Sequence, residues 1–464
     1  MLLERFRAVA AELIPPGAQL LVGYSGGPDS TCLIHMMHRC GLDIVAAHLH
    51  HGQRQEADLE LNLAEAWCEA IGVPFVSGRA DVPQIAEQFG IGLEEAGRRA
   101  RYSFFEQAAA RLNCNHIVTA HTSDDHVETI LLNVARGSGL GGLRGIPQTR
   151  GPILRPLLGF SRSETQAYCE QHALWTHDDP SNTDLSFSRA RIRLRVIPEL
   201  ERLNPEVRRC ALRMAEIIAE EDDFLNSAAA TALERLLIRL NGPLEFLTQH
   251  EEVAFDAAAF KELPRVLGLR AIRLAAASLG AETERSNAVR IWEGESETLP
   301  GGQVAAQWCG DRLHFRSLVE VEPFRHSLTI PGETIADSFG WQVTVFKSLE
   351  RVQDSDNLEV GLDADSLSGT LYFRSPKEGE RMASLGMTKA KLISDLLQEK
   401  HLTGLARRRL PIVCDLLGPV WIPGVCIADR AKCSNTTKQI LRFKFGPVMA
   451  EHAHNSRTDA LSEA

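Results

Sequence analysis

Several features are missing from this chain of 464 residues, and each absence excludes a class of protein. No run approaches the roughly 18 uncharged apolar residues that a spanning helix needs, which argues against a membrane protein. The ten cysteines include no CxxC pair, which favours reduced core thiols and a cytoplasmic protein. The chain also has no internal repeat and no low-complexity block.

The composition is typical of a folded protein of several domains. Hydrophobic residues make up 44% of the chain and charged residues 24%, the balance of an ordinary globular protein. At about 150 residues per domain, the length predicts roughly three domains. The first 17 residues, MLLERFRAVAAELIPPG, mix charged and apolar positions and predict an amphipathic helix rather than a signal peptide.

The net charge of −11 argues on average against nucleic acid, because it repels a phosphate backbone. The charge is unevenly distributed, however. Three segments, 189–213, 374–409 and 430–445, each carry a net charge of +5, which leaves −26 on the rest of the chain. A basic surface in a polarised chain is therefore compatible with RNA binding, with weak affinity for unrelated RNA at physiological salt.

The first two hundred residues alternate short apolar runs with stretches of helical period, which predicts a doubly wound parallel sheet of the α/β class. The predicted strands are Gln19–Tyr24, Asp43–His48, Pro74–Val76 and His116–Ala120. The predicted helices are Asp29–Arg39, Ala57–Ile71, Val82–Gln88, Glu94–Leu112 and Asp125–Ala135. Ligands of such folds bind beyond the carboxyl ends of the strands.

The composition changes twice after this region. We predict a catalytic domain over 1–205, a small, mainly helical domain over 206–320 that ends in a hairpin, a small α+β C-terminal domain over 321–446, and a flexible tail over 447–464. The two later domains hold the basic segments that lie beyond 206.

The sequence SGGPDS joins the first predicted strand to the first predicted helix of the sheet. Free N–H groups at a helix N-terminus bind anions, and glycines let the backbone approach phosphate oxygens. A carboxylate at this place suggests a bridging Mg²⁺, which assigns Asp29 as a metal ligand. The patterns GxxxxGK[ST] and GxGxxG are absent. The alternative is an ordinary serine and glycine turn. The predicted phosphate-binding residues are Ser25, Gly26, Gly27, Pro28, Asp29 and Ser30.

Three carboxylates, Asp124, Asp125 and Glu128, follow another predicted strand. Their spacing of three and four residues allows them to share a helix face. One carboxylate could hold Mg²⁺ while another faces a cationic substrate. Acids in a first helical turn also simply complement the helix dipole, and that alternative stays open.

Histidines also lie at the predicted strand ends. His48, His50 and His51 form HxHH, and His121 follows a later strand. Such a cluster can bind zinc, but no acidic or cysteine partner stands at a ligand spacing. His48 and His121 are better interpreted either as substrate contacts or as structural histidines.

Six blocks in this order resemble the tRNA(Ile)-lysidine synthetases of the PP-loop ATP pyrophosphatase superfamily. They are SGGPDS, HLHHGQR, EEAGRRARYSFF, AHTSDDHVETILLNVARGSGLGGLRGI, RPLLGFSRSE and DDPSNTDLSFSRARIRLRVIPEL. The stretch RSPKEGERMASLGMTKAKLISDLLQEKHLTGLARRRLPIV also resembles the family's C-terminal domain. Gly97 and Ala190 depart from the alanine and asparagine usual at these positions, so no role is transferred to position 190.

The resemblance implies an ATP-dependent ligase that joins free L-lysine to C2 of the anticodon cytidine in tRNA(Ile) with a CAU anticodon. The cytidine is first adenylated, and pyrophosphate and then AMP leave. The implied catalytic residues are Asp29, Asp125 and Glu128; His48 joins the SGGPDS residues at ATP, and Asp124, Asp125, Glu128 and His121 bind lysine. The implied tRNA contacts are Arg98, Arg101, Arg189, Arg193, Arg195, Arg381, Lys389 and Lys391.

Period alone predicts a strand for the arginines at 189, 191, 193 and 195, whereas the resemblance implies a helix, which we adopt. Three alternatives to the ligase stay open. The absence of CxxC disfavours a tRNA thiolase. The lack of a region that resembles an amidotransferase domain disfavours another PP-loop adenylating enzyme, a glutamine-dependent synthetase. The intact SGGPDS disfavours a non-catalytic tRNA-binding protein. Whether the chain forms a homodimer is also open.

Overall fold

The computed structural model describes residues 2–50, 56–177, 184–350 and 356–448. The chain divides into two compact units, Met1–Phe224 and Leu225–Ala464. The domain boundaries expected at 205 and 320 stay predictions. Most of the tail expected over 447–464 lies outside the described residues. Within the described residues, no helix combines the length and the apolar character needed to cross a bilayer.

A six-stranded sheet forms the centre of the first unit. Its strands, in chain order, are β1 (Leu20–Gly23), β2 (Ile44–His50), β3 (Phe75–Arg79), β4 (His116–Val118), β5 (Thr149–Arg150) and β6 (Ile153–Leu154). Their spatial order is β3-β2-β1-β4-β6-β5. All neighbours are parallel except β5 and β6. The four strands predicted from sequence are β1 to β4.

Helices cover both faces of this sheet, as the α/β prediction requires. They are α1 (Leu2–Leu13), α2 (Pro28–Arg39), α3 (Glu56–Ala70), α4 (Val82–Phe89), α5 (Leu93–Arg111), α6 (Ser123–Ala135), α7 (Leu140–Leu143) and α8 (Arg162–Gln171). Because side chains alternate along a strand, Leu20 and Val22 pack into the core with α1, α2 and α8, whereas Leu21 packs against α5 on the other face. The sheet is therefore doubly wound.

The strand order places the switch point of the sheet at β1. The chain winds from β1 through β2 to β3 on one side and then returns to β4, on the other side of β1. In open α/β sheets, ligands bind at the carboxyl edge beside such a point. The segments that leave this edge are the turn after β1 and the residues between β4 and α6.

The arginine-rich segment is helical, as the resemblance implied and the period did not. It comprises α9 (Ser188–Arg191), a π-helical turn (Ile192–Val196) and α10 (Ile197–Leu203), followed by the long helix α11 (Val207–Leu236). A π turn often marks a functional site. Here it changes which arginines of the segment face inward, as described below.

The second unit begins with helices and a five-stranded antiparallel sheet. Its helices are α12 (Ala257–Lys261), α13 (Arg265–Ser278) and α14 (Arg285–Glu293), and its strands are β7 (Leu237–Ile238), β8 (Glu252–Asp256), β9 (Glu297–Thr298), β10 (Val304–Cys309) and β11 (Arg312–Ser317). The expected hairpin is β10 and β11. The sheet around the hairpin, in the order β7-β8-β11-β10-β9, adds strands to a region expected to be mainly helical.

The C-terminal part is an α+β region with its own core. The strands are β12 (Arg325–Ser327), β13 (Gly332–Ala336), β14 (Trp341–Ser348), β15 (Glu359–Asp363), β16 (Tyr372–Arg374), β17 (Arg381–Met382), β18 (Lys391–Leu392), β19 (Ile412–Asp415), β20 (Gly418–Ile422), β21 (Cys426–Ile427) and β22 (Ile440–Pro447), with helices α15 (Ile393–Glu399) and α16 (Gly404–Arg409). One sheet has the order β12-β16-β19-β20-β21 and another the order β13-β14-β22-β15.

Candidate active site

The turn between β1 and α2 is held in shape by its own serines. Ser25 Oγ lies 3.1 Å from Ser30 Oγ, and Ser30 Oγ donates to the Gly27 carbonyl at 3.0 Å. The backbone N–H of Ser25 donates to Ser30 Oγ at 3.2 Å. These bonds close the turn before any ligand binds, so its backbone is organised in advance.

Glycine is required at the apex of this turn. Gly26 has φ of +79°, a conformation that L side chains rarely adopt, and an added Cβ would meet the Trp175 ring at 3.4 Å. Gly27 is the N-cap of α2 and provides no side-chain cap. The first N–H groups of α2 therefore lack a side-chain cap, which is the arrangement that binds phosphate at a helix N-terminus.

Asp29 lies in the first turn of α2 and points toward α8. Its Oδ1 accepts a hydrogen bond from the Thr165 hydroxyl, and its Oδ2 lies 3.5 Å from Arg162 Nε. Burial raises the pKa of Asp29 above its ordinary value, although Thr165 and Arg162 oppose the shift. Asp29 is thus a half-buried carboxylate with a raised pKa, directly beside the phosphate-binding turn.

Asp125 caps helix α6 with one carboxylate oxygen and contacts Arg162 with the other. Its Oδ2 accepts from the backbone N–H and the hydroxyl of Thr122, both at 2.9 Å, which forms the capping box of α6. Its Oδ1 accepts from Arg162 Nη2, also at 2.9 Å. Burial would raise the pKa of Asp125, but Arg162, the Thr122 N–H and His121 outweigh burial and lower the pKa. The carboxylate is therefore stably ionised.

Arg162 joins the carboxylates that the sequence analysis selected. Besides Asp29 and Asp125, its Nη1 donates to Glu128 Oε1 at 3.2 Å. Its backbone N–H donates to Asp124 Oδ2 at 2.8 Å. One residue at the start of α8 therefore contacts four acids from α2 and α6. The charges of Asp125, Glu128 and Asp29 raise the pKa of Arg162 against the effect of its own burial.

Two further arginines complete this cluster. Glu128 is fully buried and accepts two hydrogen bonds from Arg193, at 2.7 Å and 3.0 Å. Asp124 Oδ1 accepts from Arg208 Nη1 at 2.6 Å. The site is thus a network of four carboxylates and three guanidinium groups, and each acid has at least one cationic partner.

The two histidines at the strand ends have protein partners. His48 Nδ1 lies 3.0 Å from the Tyr24 carbonyl, and His121 Nδ1 lies 2.9 Å from the Thr119 hydroxyl. Burial lowers the pKa of His48, and burial lowers the pKa of His121 to about 4 although Asp125 acts in the opposite direction. Both rings are therefore neutral at physiological pH and lie at the same edge as the turn.

The remaining arginines predicted in this unit are distributed over several surfaces. The Arg98 guanidinium stacks over the Tyr102 ring at 5.2 Å, and Arg101 is exposed on the same helix. Arg189 Nε lies 3.4 Å from Glu94 Oε1. Arg193 turns inward to Glu128, whereas Arg195 is exposed. The structure therefore joins only Arg193 directly to the carboxylate network.

The predicted basic residues of the second unit lie around a small β ribbon. Arg381 Nη1 donates to the Ala390 carbonyl at 3.1 Å, and Lys391 forms an ion pair with Glu399. Lys389 is exposed. These three residues share the β17 and β18 region.

Sequence reasoning missed Arg162, Thr165 and Arg208. The signal for Arg162 was present in RSE of the RPLLGFSRSE block. Ser161 and Glu164 form a capping box, which the S-x-x-E pattern predicts. A cation in the first turn of a helix opposes the helix dipole, so an arginine directly after the cap indicates that acids from elsewhere hold it there.

The side chains available as ligands determine which kind of metal site the protein can form. Among the described residues, no group of three or more His, Cys, Asp and Glu side chains is placed to hold one. Mg²⁺ in nucleotide sites commonly takes one or two carboxylates and completes its shell with water and phosphate oxygens. Asp29, beside the turn, fits a metal ion that arrives together with phosphates and does not fit a site built by the protein alone.

Comparison with known proteins agrees with this geometry. A PP-loop domain model matches residues 3–200, and a model described as the TilS substrate C-terminal domain matches residues 370–443. A tRNA(Ile)-lysidine synthase from Clostridium tetani is 30% identical over 455 residues, which cover 93% of this chain and 95% of that protein.

Two further relatives extend the match. A tRNA(Ile)-lysidine synthase from Geobacillus kaustophilus is 30% identical, over 89% of this chain and 92% of that protein. A bifunctional protein TilS/HprT from Listeria monocytogenes is 31% identical, over 96% of this chain and 70% of that protein. The chain is an ATP-dependent ligase with a PP-loop domain, and it belongs to the tRNA(Ile)-lysidine synthase family.

Proposed function

We propose that this chain joins free L-lysine to C2 of the anticodon cytidine of a CAU-bearing tRNA(Ile), through an adenylated cytidine. One observation carries the proposal: Arg162 joins Asp29, beside the phosphate-binding turn, to the Asp125 and Glu128 carboxylates at the same sheet edge. A nucleotide site and a cation site are thus placed side by side, as a reaction between ATP and an amine requires.

The turn would bind the phosphates of ATP. The uncapped N–H groups at the start of α2 and the Ser25 and Ser30 hydroxyls are the donors, and His48 lies at the next strand end. Asp29 would hold Mg²⁺ together with phosphate oxygens, and the bound ion would stabilise negative charge on the departing pyrophosphate. Fixed donors of this kind stabilise developing charge at little cost of reorganisation.

The carboxylates of α6 would bind lysine. Asp125 is ionised and has a lowered pKa, so it suits a counter-ion better than a general base. Glu128 is fully buried, and Asp124 and His121 flank the pair. The guanidinium of Arg162 now contacts Asp125 and Glu128. We infer that the substrate's ammonium group competes with this guanidinium for the two acids.

The amine must lose a proton before it attacks, because its reference pKa is about 10.4. The acids would bind the α-ammonium group of lysine, and transfer of its ε-amine from water to a position away from these acids would favour the neutral amine. The basic residues of both units, Arg98, Arg101, Arg189, Arg195, Arg381, Lys389 and Lys391, would contact tRNA, whose target base must leave the loop stack to reach the turn. A homodimer is not required for this arrangement.

The test is release of AMP and pyrophosphate from ATP in the presence of lysine and a CAU-anticodon tRNA(Ile) transcript. We expect release to depend on both, with labelled lysine transferred to the RNA. Asp29→Ala should abolish release while tRNA affinity stays within about twofold, a margin well below the tenfold change that 1.4 kcal/mol produces. Release that proceeds without lysine or without the tRNA would contradict the proposal.

A further inference from the structure

A cavity of about 680 Å³ lies along the outer edge of the sheet in the first unit, between β3, α4 and α5. None of the residues that line it belongs to the turn, the carboxylate network or the histidine pair described above. Its walls come from Leu49 at the end of β2, from β3, and from one face of α5. It is therefore a second concave surface that the proposed chemistry does not use.

One end of the cavity lies at the same sheet edge as the phosphate-binding turn. Arg79 is the last residue of β3 and pairs in register with His50 of β2. The strand order β3-β2-β1 and a strand spacing of about 4.8 Å place β3 about 10 Å from β1 across the sheet. Arg79 lies three residues, about 10 Å, beyond Val76, which is level with the end of β1. From Arg99 to Arg111 the cavity follows α5 for twelve residues, about 18 Å along the helix axis.

The charge of the lining is opposite to that of the chain. Three arginines, Arg79, Arg99 and Arg111, line the cavity, and no Asp or Glu does so, although acids outnumber basic residues in the sequence by 61 to 50. Glu95 pairs with Arg99 at 3.1 Å from outside the lining. Such a surface attracts phosphate, and the guanidinium groups offer planar donors for it.

The apolar part of the lining is suited to a base. Phe89, at the end of α4, keeps 57% of its surface exposed, and the Arg99 guanidinium lies 6.0 Å from its ring centre. Phe104 lies so close to β3 that a Cβ at Gly78 would meet its ring at 2.6 Å. Unstacked bases bind on aromatic rings and on arginine planes, and here both occur on one wall.

Helix α5 thus presents arginines in two directions. Arg98 and Arg101 act electrostatically on His121 and His48, respectively, at the turn, whereas Arg99 and Arg111 line the cavity. A strand of RNA that leaves the carboxyl edge of the sheet would pass from the first pair to Arg99 and then along α5 to Arg111, which ends the helix near the opposite edge, where β4 begins. Phosphates would meet arginines at both ends of this path.

We propose that this cavity binds the nucleotides of the anticodon loop next to the cytidine that is modified, with a base against Phe89 and phosphates at Arg99 and Arg111. The proposal rests on the proposed function, because it takes tRNA as the substrate. These residues would hold the anticodon loop so that the target base reaches the phosphate-binding turn. They are therefore positioning residues for RNA.

The experiment measures binding of a CAU anticodon stem-loop to the full chain as a function of salt. Arg99→Gln and Arg111→Gln should each lower the slope of log affinity against log salt by about 0.7, the value for one phosphate contact on a single strand. Phe89→Ala should weaken binding about five- to hundredfold, the range for loss of one base stack. Arg150→Gln, an exposed arginine of β5, is the matched control and should leave binding unchanged.

Two further measurements separate this proposal from its rivals. ATP and lysine KM values should not change in the Phe89 and Arg111 variants, and 4-thiouridine next to the target cytidine should cross-link to α4 or α5 of the unmodified protein. Wild-type salt dependence in both arginine variants, or cross-links only elsewhere, would overturn the proposal. The proposal would also be overturned if the cavity bound free cytidine monophosphate and the variants bound RNA with wild-type affinity. That result would indicate a site for a free nucleotide.

Failure of the proposed function gives a different result. If the anticodon stem-loop binds through Phe89 and Arg111 but AMP release does not depend on lysine, the chemistry is wrong and the RNA site stands. If release depends on lysine and tRNA but the variants bind RNA normally, the chemistry stands and the cavity proposal fails.

Discussion

Arg162 Nη2 donates to Asp125 Oδ1 at 2.9 Å, and the same guanidinium reaches Glu128 and Asp29. These acids come from two helices, α2 and α6, that begin at neighbouring strand ends. Without the arginine, three partly or fully buried carboxylates would repel one another. Arg162 therefore holds the two halves of the site together.

Arg162→Met should destabilise the first unit. The variant leaves Asp125 and Asp29 without this cation, whereas Glu128 keeps Arg193. We expect a loss of about 3 kcal/mol in the free energy of unfolding, the lower end of the range for breaking a buried pair. Urea denaturation measures it. Arg7→Met removes an exposed pair with Glu4 and should leave the denaturation midpoint nearly unchanged; equal losses in the two variants would contradict this account.

The two aspartates that face Arg162 should respond to pH in opposite directions. Burial raises the folded-state pKa of Asp29, so its ionisation costs stability as pH rises above the unfolded-state value of about 3.9. The pKa of Asp125 is lowered, so its charge contributes stability above that value and loses the contribution as pH falls through the folded-state pKa.

Asn variants separate these two effects. The stability of Asp29→Asn relative to wild type should increase from pH 3 to pH 7, whereas that of Asp125→Asn should decrease over the same interval. An Asn side chain still offers an oxygen to the Thr122 N–H, so the cap is kept. Urea denaturation across this pH range gives the two slopes, and slopes of the same sign would refute the assignment.

The α/β architecture could be predicted because its strands and helices follow from the local periodicity of apolar residues. The apolar run at Leu20 to Gly23 and the helical period after Pro28 each depend only on neighbouring residues. The sheet edge then followed from the rule that parallel strands end together, and it brought the turn and the α6 acids to one place before any contact was known.

The arginine network could not be predicted in the same way. Arg162 and Asp125 are 37 residues apart in the sequence, and Arg208 and Asp124 are 84 residues apart. A pattern of neighbouring residues cannot predict contacts over such separations. In the segment of alternating arginines, the π turn at Ile192–Val196 shifts the helical phase, so neither a strand period nor a regular helix predicts that Arg193 reaches Glu128.

Two strands in the region expected to be mainly helical could not be predicted for a simpler reason. β7 and β9 are two residues long, too short to produce a visible alternation of apolar and polar residues. The β10 and β11 hairpin, with six residues in each strand, could be recognised from the sequence.

Alanine substitutions at the two glycines of the turn should have different effects, one on stability and the other on ATP binding. Gly26→Ala places a side chain at φ of +79° beside Trp175 and should cost about 1–3 kcal/mol of stability. Gly27→Ala adopts an ordinary φ of −72°, so it should fold normally, but its Cβ stands in the path of phosphate. Thermal unfolding and ATP binding by calorimetry separate them. A stable Gly26→Ala, or a Gly27→Ala that binds ATP as wild type does, would contradict the assigned geometry.

His121 should stay neutral throughout the physiological range. Burial lowers its pKa to about 4, well below the reference value near 6.5, so the ring loses its proton long before neutral pH. The His121 ring should therefore show one neutral form in long-range ¹H–¹⁵N spectra from pH 5.5 to pH 8. His121→Gln identifies its signals by their loss. Because the folded-state pKa is lowered, the neutral ring contributes stability above the unfolded-state pKa, and that contribution falls as pH drops toward 4. A His121 signal that titrates near pH 6.5 would show instead that the ring is solvated and free to ionise beside Asp125.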